Sequence, residues 1–285
     1  MPYRVRQMQP SDVFSVIRIA NQAFLEMARP SWYIGKAFVQ WMQRHRHCMF
    51  LAETEDGEAV GFLIGRCDGD KARIGWIAVH PSHWGRGVGG MLLSAIEQCA
   101  IERGIKVVET GTPFARTFYE KYGYECVGIR KAMVLELVGR TIKMPDGFHS
   151  KSIVPEDLPK LFGIFPGDAD WFHFLEAYFS ACEREPSKAI IVSEIGQQNP
   201  VGVVVGNADT VCSDLVVVSY LFCTDEGRAM DVLNAFVYFI STFGHRWVGI
   251  RLPISGIDET ELEANGWQDA KLPYIWTCYD MRKEL

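Results

Sequence analysis

Residues 73–100 read R-I-G-W-I-A-V-H-P-S-H-W-G-R-G-V-G-G-M-L-L-S-A-I-E-Q-C-A, and the rest of the chain is organised around them. Ile74, Trp76, Ala78 and Val79 supply the β-branched and aromatic content of a strand. Pro81 and Ser82 stop it. Gly85, Gly87, Gly89 and Gly90 then crowd a six-residue loop, and M-L-L-S-A-I-E opens an amphipathic helix. Without Cβ atoms, the backbone of such a loop can lie against a ligand with successive N–H groups aimed at one anion. The positive end of the helix dipole stands just behind, and Arg86 adds a formal charge. The stretch predicts a phosphate cradle. The plainer alternative is a glycine-rich turn that packs a strand against a helix.

Two cofactor classes use such a loop. Gly85, Gly87 and Gly90 satisfy the dinucleotide pattern G-x-G-x-x-G, and Glu109 ends the next strand roughly twenty residues on, where a ribose-binding acid is expected. In a dinucleotide fold, however, the glycines follow the strand directly, whereas here Pro81, Ser82, His83 and Trp84 intervene. The same residues resemble motif A of the GNAT acetyltransferase superfamily, (Q/R)-x-x-G-x-(G/A) after a strand ending V-x-P. Val79-His80-Pro81, Gly87 and Gly89 carry the match, with Trp84 at the usual Gln or Arg position. A second segment, F-A-R-T-F-Y-E-K-Y-G-Y-E-C-V-G at 114–128, resembles the family's A-x-x-F-Y-x-x-x-G-F through Ala115, Phe118, Tyr119, Gly123 and Tyr124. It sits one strand after the loop, where a dinucleotide domain has no use for it. The pair of motifs favours the acetyltransferase resemblance. A nicotinamide-binding oxidoreductase rests on the glycine pattern alone.

The resemblance covers residues 1–139 and implies an α/β fold of the α+β type, with a mixed sheet that splays between its fourth and fifth strands. It implies acetyl-CoA as cosubstrate, its pantetheine arm along Ile77, Ala78 and Val79 and its pyrophosphate on Trp84, Gly85, Arg86, Gly87, Val88, Gly89 and Gly90. The Val79 N–H is expected to polarise the thioester carbonyl. Thr112 stands where the family often has Asn. Tyr119 is the expected general acid, since a phenol with a pKa of about 10 can protonate a leaving thiolate. Its other reading is a helix tyrosine packed beneath the sheet. No general base is evident: Glu109 is offered as one end of a water relay, and His80 has the right titration range but follows the strand.

At 285 residues, 48% of them hydrophobic, the chain has the length of two domains. A net charge of −6 argues against a nucleic-acid partner. Eight cysteines are scattered without C-x-x-C spacing, which predicts reduced thiols in a cytoplasmic protein. The first residues carry no apolar signal core and no run is long enough to span a membrane. Arg44-His45-Arg46-His47 reads better as cations at a helix C-terminus than as a metal site, and Asp168 and Asp170, near His173, as acids opening a helix. No metal is expected. Trp171, Phe172, Phe174, Tyr178 and Phe179 read as a core face.

The second half repeats the element order without the motifs. Gly266-Trp267 stands where Gly123-Tyr124 stands in the first half, Leu262 stands at the place of Tyr119, and C-T-D-E-G-R-A-M replaces the cradle. One glycine and two acids there argue against a pyrophosphate. The expected division is a GNAT domain at 1–139, a linker at 140–154 and a degenerate GNAT-like domain at 155–285, the last serving structure, the acceptor site or a homodimer surface. The expected function is acetyl transfer from acetyl-CoA to a primary amine, small molecule or peptide, by direct attack in a ternary complex. The rival is a non-catalytic acyl-CoA-binding or sensing module.

Overall fold

The computed structural model describes residues 3–25, 27, 30–182, 188–197, 199–209, 211–271 and 275–285. β1 (Tyr3–Gln7) turns at Pro10–Asp12 into α1 (Val13–Ala23), followed by α2 (Pro30–His45) and β2 (Met49–Thr54). Asp12 holds that turn: its Oδ2 accepts the Gln9 N–H at 2.6 Å and an Arg6 N–H at 2.8 Å. Arg6 also donates to Glu53 at 2.8 Å, so one guanidinium ties β1, β2 and the start of α1. The hydrogen bond from Arg6 holds the Asp12 carboxyl below its ordinary range. A depressed pKa gives stability that is present above the unfolded value and lost as pH falls through the folded one. Asp12→Asn is therefore expected to cost about 1–3 kcal/mol at neutral pH, with the two proteins converging in acid. Urea unfolding at both pH values measures it.

The chain continues through β3 (Ala59–Asp68), β4 (Lys71–Val79), α3 (Val88–Ile101), β5 (Val107–Thr112), α4 (Arg116–Lys121) and β6 (Glu125–Arg130). Then come β7 (Ala132–Glu136), β8 (Phe148–Ser152), α5 (Leu158–Leu161), α6 (Asp168–Cys182), β9 (Lys188–Glu194), β10 (Gly202–Ala208) and β11 (Leu215–Cys223). The last elements are α7 (Ala229–Ser241), β12 (Trp247–Arg251), α8 (Glu259–Ala264), β13 (Gln268–Asp269) and β14 (Cys278–Glu284). They form two seven-stranded sheets, ordered β1-β2-β3-β4-β5-β14-β6 and β8-β9-β10-β11-β12-β7-β13. β4–β5 and β11–β12 are parallel, while β1–β2, β2–β3, β3–β4 and β5–β14 are antiparallel. This is a mixed sheet and not the open parallel sheet of a dinucleotide fold, so the oxidoreductase alternative falls.

The two sheets have the same order, and the sixth place in each is filled from the other half of the sequence. β14, from the end of the chain, lies between β5 and β6. β7, expected in the first sheet, pairs with β12 from Ala132–Arg251 to Glu136–Trp247. The compact units are accordingly residues 1–129 with Cys278–Leu285, and Arg130–Thr277. This corrects the division at 139 and 155, and β8 occupies part of the supposed linker. The reason is register: Met133 and Leu135 point to the core that holds Phe236, Leu262 and Trp267, where the β12 partners Ile250 and Val248 also lie.

Local geometry repeats along with the order. In the first unit the Gly123 N–H donates to Glu120 C=O at 3.0 Å and Tyr124 N–H to Tyr119 C=O at 3.1 Å. In the second, Gly266 donates to Glu263 at 2.9 Å and Trp267 to Leu262 at 3.0 Å. Asp157 holds the turn after β8 as Asp12 does after β1, accepting from Val154 N–H at 3.2 Å and Lys151 at 2.5 Å. The Trp171–Tyr178 aromatics belong to the core beside β9 and β10 through Phe174 and Tyr178, as expected, whereas Phe172 and Phe179 are exposed. Among the described residues no helix is long and apolar enough to cross a membrane.

Candidate active site

The first sheet opens where β4 and β5 part. Their pairing runs from Lys71–Val107 to Ile74–Thr110 and stops. Beyond it β4 stays with β3 as far as the Val79–Gly61 pair, and β5 stays with β14 to the Thr112–Tyr279 pair. The register of β3 on β4 jumps between Ile64–Trp76 and Gly65–Ile74, which makes Gly75 the extra residue of a bulge. A Cβ at Gly75 would lie 2.4 Å from the Trp41 ring. The glycine allows Trp41 of α2 to pack directly under the wedge. His80 N–H donates to Val60 C=O at 2.8 Å, toward β3. In an antiparallel ladder successive residues alternate sides, so the N–H groups of Ile77 and Val79 face the wedge and those of Ala78 and Trp76 face β3.

At the mouth of the wedge, Gly85 and Gly87 have φ of +74° and +82°, and Gly87 is the N-cap of α3. Nothing lies within 4 Å of where either Cβ would be. These two positions form the open face of the loop, with exposed Arg86 between them and buried Val88 closing it from below. Gly89 and Gly90 do something else. A Cβ at Gly89 would stand 2.9 Å from the Phe118 ring, and one at Gly90 would stand 2.4 Å from the Tyr122 ring. They let α4 pack against α3, and the open, positive-φ positions of the loop are Gly85 and Gly87. Trp84 turns its indole N–H back to Val79 C=O at 2.6 Å, pinning the loop to the end of β4. A cleft of about 590 Å³ starts beside Gly87 and Gly90 and follows α3 past Met91 and Ser94.

Tyr119 lies at the base of the wedge and is almost wholly buried, between Phe118 and Tyr124. The Thr110 hydroxyl, beside it, donates to Ile74 C=O at 3.0 Å across the last closed rung. Burial pushes the Tyr119 phenol up to about 12, with the neighbouring Thr110 hydroxyl acting in the opposite direction. The group therefore keeps its proton throughout the ordinary pH range. Thr112, one strand period on, accepts the Ala115 N–H at 3.0 Å and so starts α4. Glu109 precedes Thr110 and points to the other face of β5, where Lys71 donates to it at 2.8 Å. The His80 ring nitrogen sits 2.7 Å from the Ser82 hydroxyl, within the turn that follows β4.

Sequence reading passed over Thr110, Gly75 and Trp41. A glycine inside a strand pattern signals a bulge, and Thr110 shares the two-residue period of Thr112, so both carried a readable cue. Trp76, on the α1–α2 side of β4, meets Phe24 edge-on with ring centroids 5.8 Å apart. In the second unit the matching loop is filled from within: Asp225 accepts the Gly227 N–H at 3.0 Å, and Leu262 is fully buried.

Residues 45–126 match the family profile described as an acetyltransferase (GNAT) domain. Solved structures match over nearly the whole chain. A GCN5-related N-acetyltransferase from Sphaerobacter thermophilus is 17% identical, with a TM-score of 0.72, over 99% of this chain and 95% of that one. A tandem GNAT protein from the clavulanic acid biosynthesis pathway is 12% identical, with a TM-score of 0.69, over 99% and 98%. A GCN5-related glucosamine N-acetyltransferase region of a fungal multi-domain GH3 beta-N-acetylglucosaminidase is 14% identical, with a TM-score of 0.72, over 99% of this chain and 38% of that one. At these identities the structural likenesses establish the fold. Residues 45–126 match the GNAT acetyltransferase profile, and the whole chain has the fold of tandem GNAT proteins.

Proposed function

We propose that the protein is an acetyl-CoA-dependent N-acetyltransferase that acts on a primary amine in a ternary complex and works from its N-terminal unit. The observation that supports this best is the wedge itself, with inward-facing N–H groups on β4, an open glycine loop at its mouth and a protonated phenol at its base. Acetyl-CoA, when bound, supplies the acyl thioester. Gly85, Arg86 and Gly87, with the N-terminus of α3, would hold its pyrophosphate, and the N–H groups of Ile77 and Val79 its pantetheine and carbonyl oxygen. Tyr119 gives its proton to the departing sulfur as the nitrogen–carbon bond forms and the carbon–sulfur bond breaks. The proton shed by the amine passes to water, with Glu109 as the carboxylate proposed to receive it. The second unit, with Asp225 at its loop and Leu262 in place of the phenol, is assigned no chemistry.

Tyr119→Phe tests the assignment. Thiol release is followed with acetyl-CoA against polyamines, amino sugars, amino acids and peptide N-termini. The variant is expected to lose about 10²–10⁴-fold in kcat with unchanged acetyl-CoA affinity. Wild-type protein that binds acetyl-CoA yet acetylates no amine would instead be a binding module.

A further inference from the structure

At the other end of α3 from the cradle, three cysteines and a histidine converge from three separate stretches of chain. Cys48 closes the turn before β2, Cys67 is in the last residues of β3, and Cys99 is in the last turn of α3. The Cys48 and Cys99 sulfurs are 3.6 Å apart. The ligand atoms of His47, Cys48 and Cys67 all lie within 4.8 Å of one another. Cys67 is close enough to interact electrostatically with both other thiols. Spacing along the chain does not reveal this cluster, because a C-x-x-C pattern marks ligands close in sequence and these meet only through the β2–β3 pairing and the packing of α3.

We propose that Cys48, Cys67, Cys99 and His47 bind one zinc ion. Three thiolates and an imidazole are a standard tetrahedral donor set for zinc, with zinc–sulfur bonds of about 2.3 Å. A tetrahedron of such bonds has sulfur–sulfur edges of about 3.8 Å, so the Cys48–Cys99 pair already stands close to the required spacing. The His47 and Cys67 ligand atoms, within 4.8 Å of Cys48 Sγ, have to draw in to bonding distance and toward Cys99, which the side chain of His47 and the end of a strand can supply. Charge is also provided for. Three thiolates and a divalent ion sum to −1, and Arg103 Nη1 donates to Cys99 Sγ at 3.2 Å. The Cys99 thiol donates to the His47 carbonyl at 3.2 Å, a hydrogen bond that is given up when zinc displaces its proton.

Binding displaces the three thiol protons to solvent and transfers no electrons. Soft thiolate and imidazole donors favour zinc over hard cations such as magnesium or calcium. Cys48 is fully buried, while Cys67 and His47 are partly open, which gives the ion an approach. Four protein ligands leave no open position, the pattern of a structural site. Such an ion would clamp the C-terminal end of α3 to β2 and β3. The helix spans 14 residues, about 21 Å, so the clamp is remote from the glycine loop at its other end. The inference stands independently of the acetyltransferase reading.

The full chain, stripped with chelator under reducing conditions, is titrated with Co²⁺ and then with Zn²⁺. The expected result is one equivalent of Co²⁺ with thiolate charge-transfer and tetrahedral d–d bands, displaced by Zn²⁺, and about one zinc per chain in protein purified without chelator. Loss of an outer-shell partner costs about 10–100-fold in metal affinity, so Cys67→Ser, which removes a ligand, is expected to weaken Co²⁺ by more than about 100-fold. His47→Ala should shift the d–d bands, and Cys126→Ser, in the same unit but outside the cluster, should change nothing. Folding of each variant is checked by circular dichroism and by acetyl-CoA binding. Stripped, folded wild type without cobalt bands overturns the proposal, as do bands that survive in Cys67→Ser. A Cys48–Cys99 disulfide in protein kept under reductant overturns it as well.

Discussion

A chain cut after Thr277 is expected to lose the whole N-terminal sheet and not only its last strand. β14 sits inside that sheet, hydrogen-bonded to β5 from the Tyr279–Thr112 pair to the Glu284–Val107 pair, with β6 on its far side. Met281 is 1% exposed and belongs to the core that contains Leu92, Ile96 and Tyr119. Lys283 reaches Glu97 of α3 at 2.8 Å. Removing β14 bares the β5 edge, detaches β6 and opens that core. Marginal stabilities of about 5–15 kcal/mol per domain cannot absorb such a loss. The same argument predicts that residues 1–139, the unit suggested by the motifs, fail to fold when expressed alone, because they carry β7 but lack β14. Residues 1–129 joined by a flexible linker to 278–285 should recover a cooperative thermal transition and acetyl-CoA binding. A truncated chain that still melts cooperatively in both units and binds acetyl-CoA as the full chain does would refute the exchanged-strand architecture.

Gly87→Glu should weaken acetyl-CoA binding by about 100-fold or more, some 2.7 kcal/mol by the usual conversion, while leaving the fold nearly intact. Two effects combine. A side chain at φ +82° costs about 1–2 kcal/mol, but nothing lies within 4 Å of the new Cβ, so no neighbour has to move. The carboxylate then stands at the N-terminus of α3, where it satisfies the helix dipole itself and repels the pyrophosphate. The second unit already carries a version of this arrangement, with Asp225 on the Gly227 N–H. Gly87→Ala keeps the strain and omits the charge, so it should retain most of the affinity. Calorimetric titration of the three proteins separates the terms. Equal affinities for wild type and Gly87→Glu would place the pyrophosphate elsewhere.

How much of this was legible in the sequence depends on the range of the interaction that decides each feature. The turn from β4 into α3, the α4 turn ending at Gly123 and its copy at Gly266 are fixed by neighbouring residues, and their glycines and aromatics announce them. The split between β4 and β5 was expected from the resemblance and is present. The packing of Gly89 against Phe118 and of Gly90 against Tyr122 was not legible, because a glycine that admits a ligand and one that admits an aromatic ring look alike in sequence. The address of β7 was illegible for a related reason. Met133 and Leu135 have the alternation of any half-buried strand, and nothing within the strand says which of two similar sheets it will join. Glu109 was placed on the right strand, but its partner Lys71 lies on the neighbouring strand and could not be read from spacing.

The reciprocal placement of β7 and β14 bears on how the protein is made. β14 leaves the ribosome after every other described element, yet it belongs in the middle of the sheet that begins with β1. The first half therefore emerges with the seat for that strand vacant, and must wait through the synthesis of the entire second unit. Its partners are separated by more than half the chain, a topology that slows folding because a long loop must close before the pairing is rewarded. During that wait, the β5 and β6 edges are the surfaces a chaperone would be expected to cover. Acetyl-CoA binding is then expected only in chains whose β14 has left the ribosome and docked beside β5, which makes the ligand a reporter of that docking.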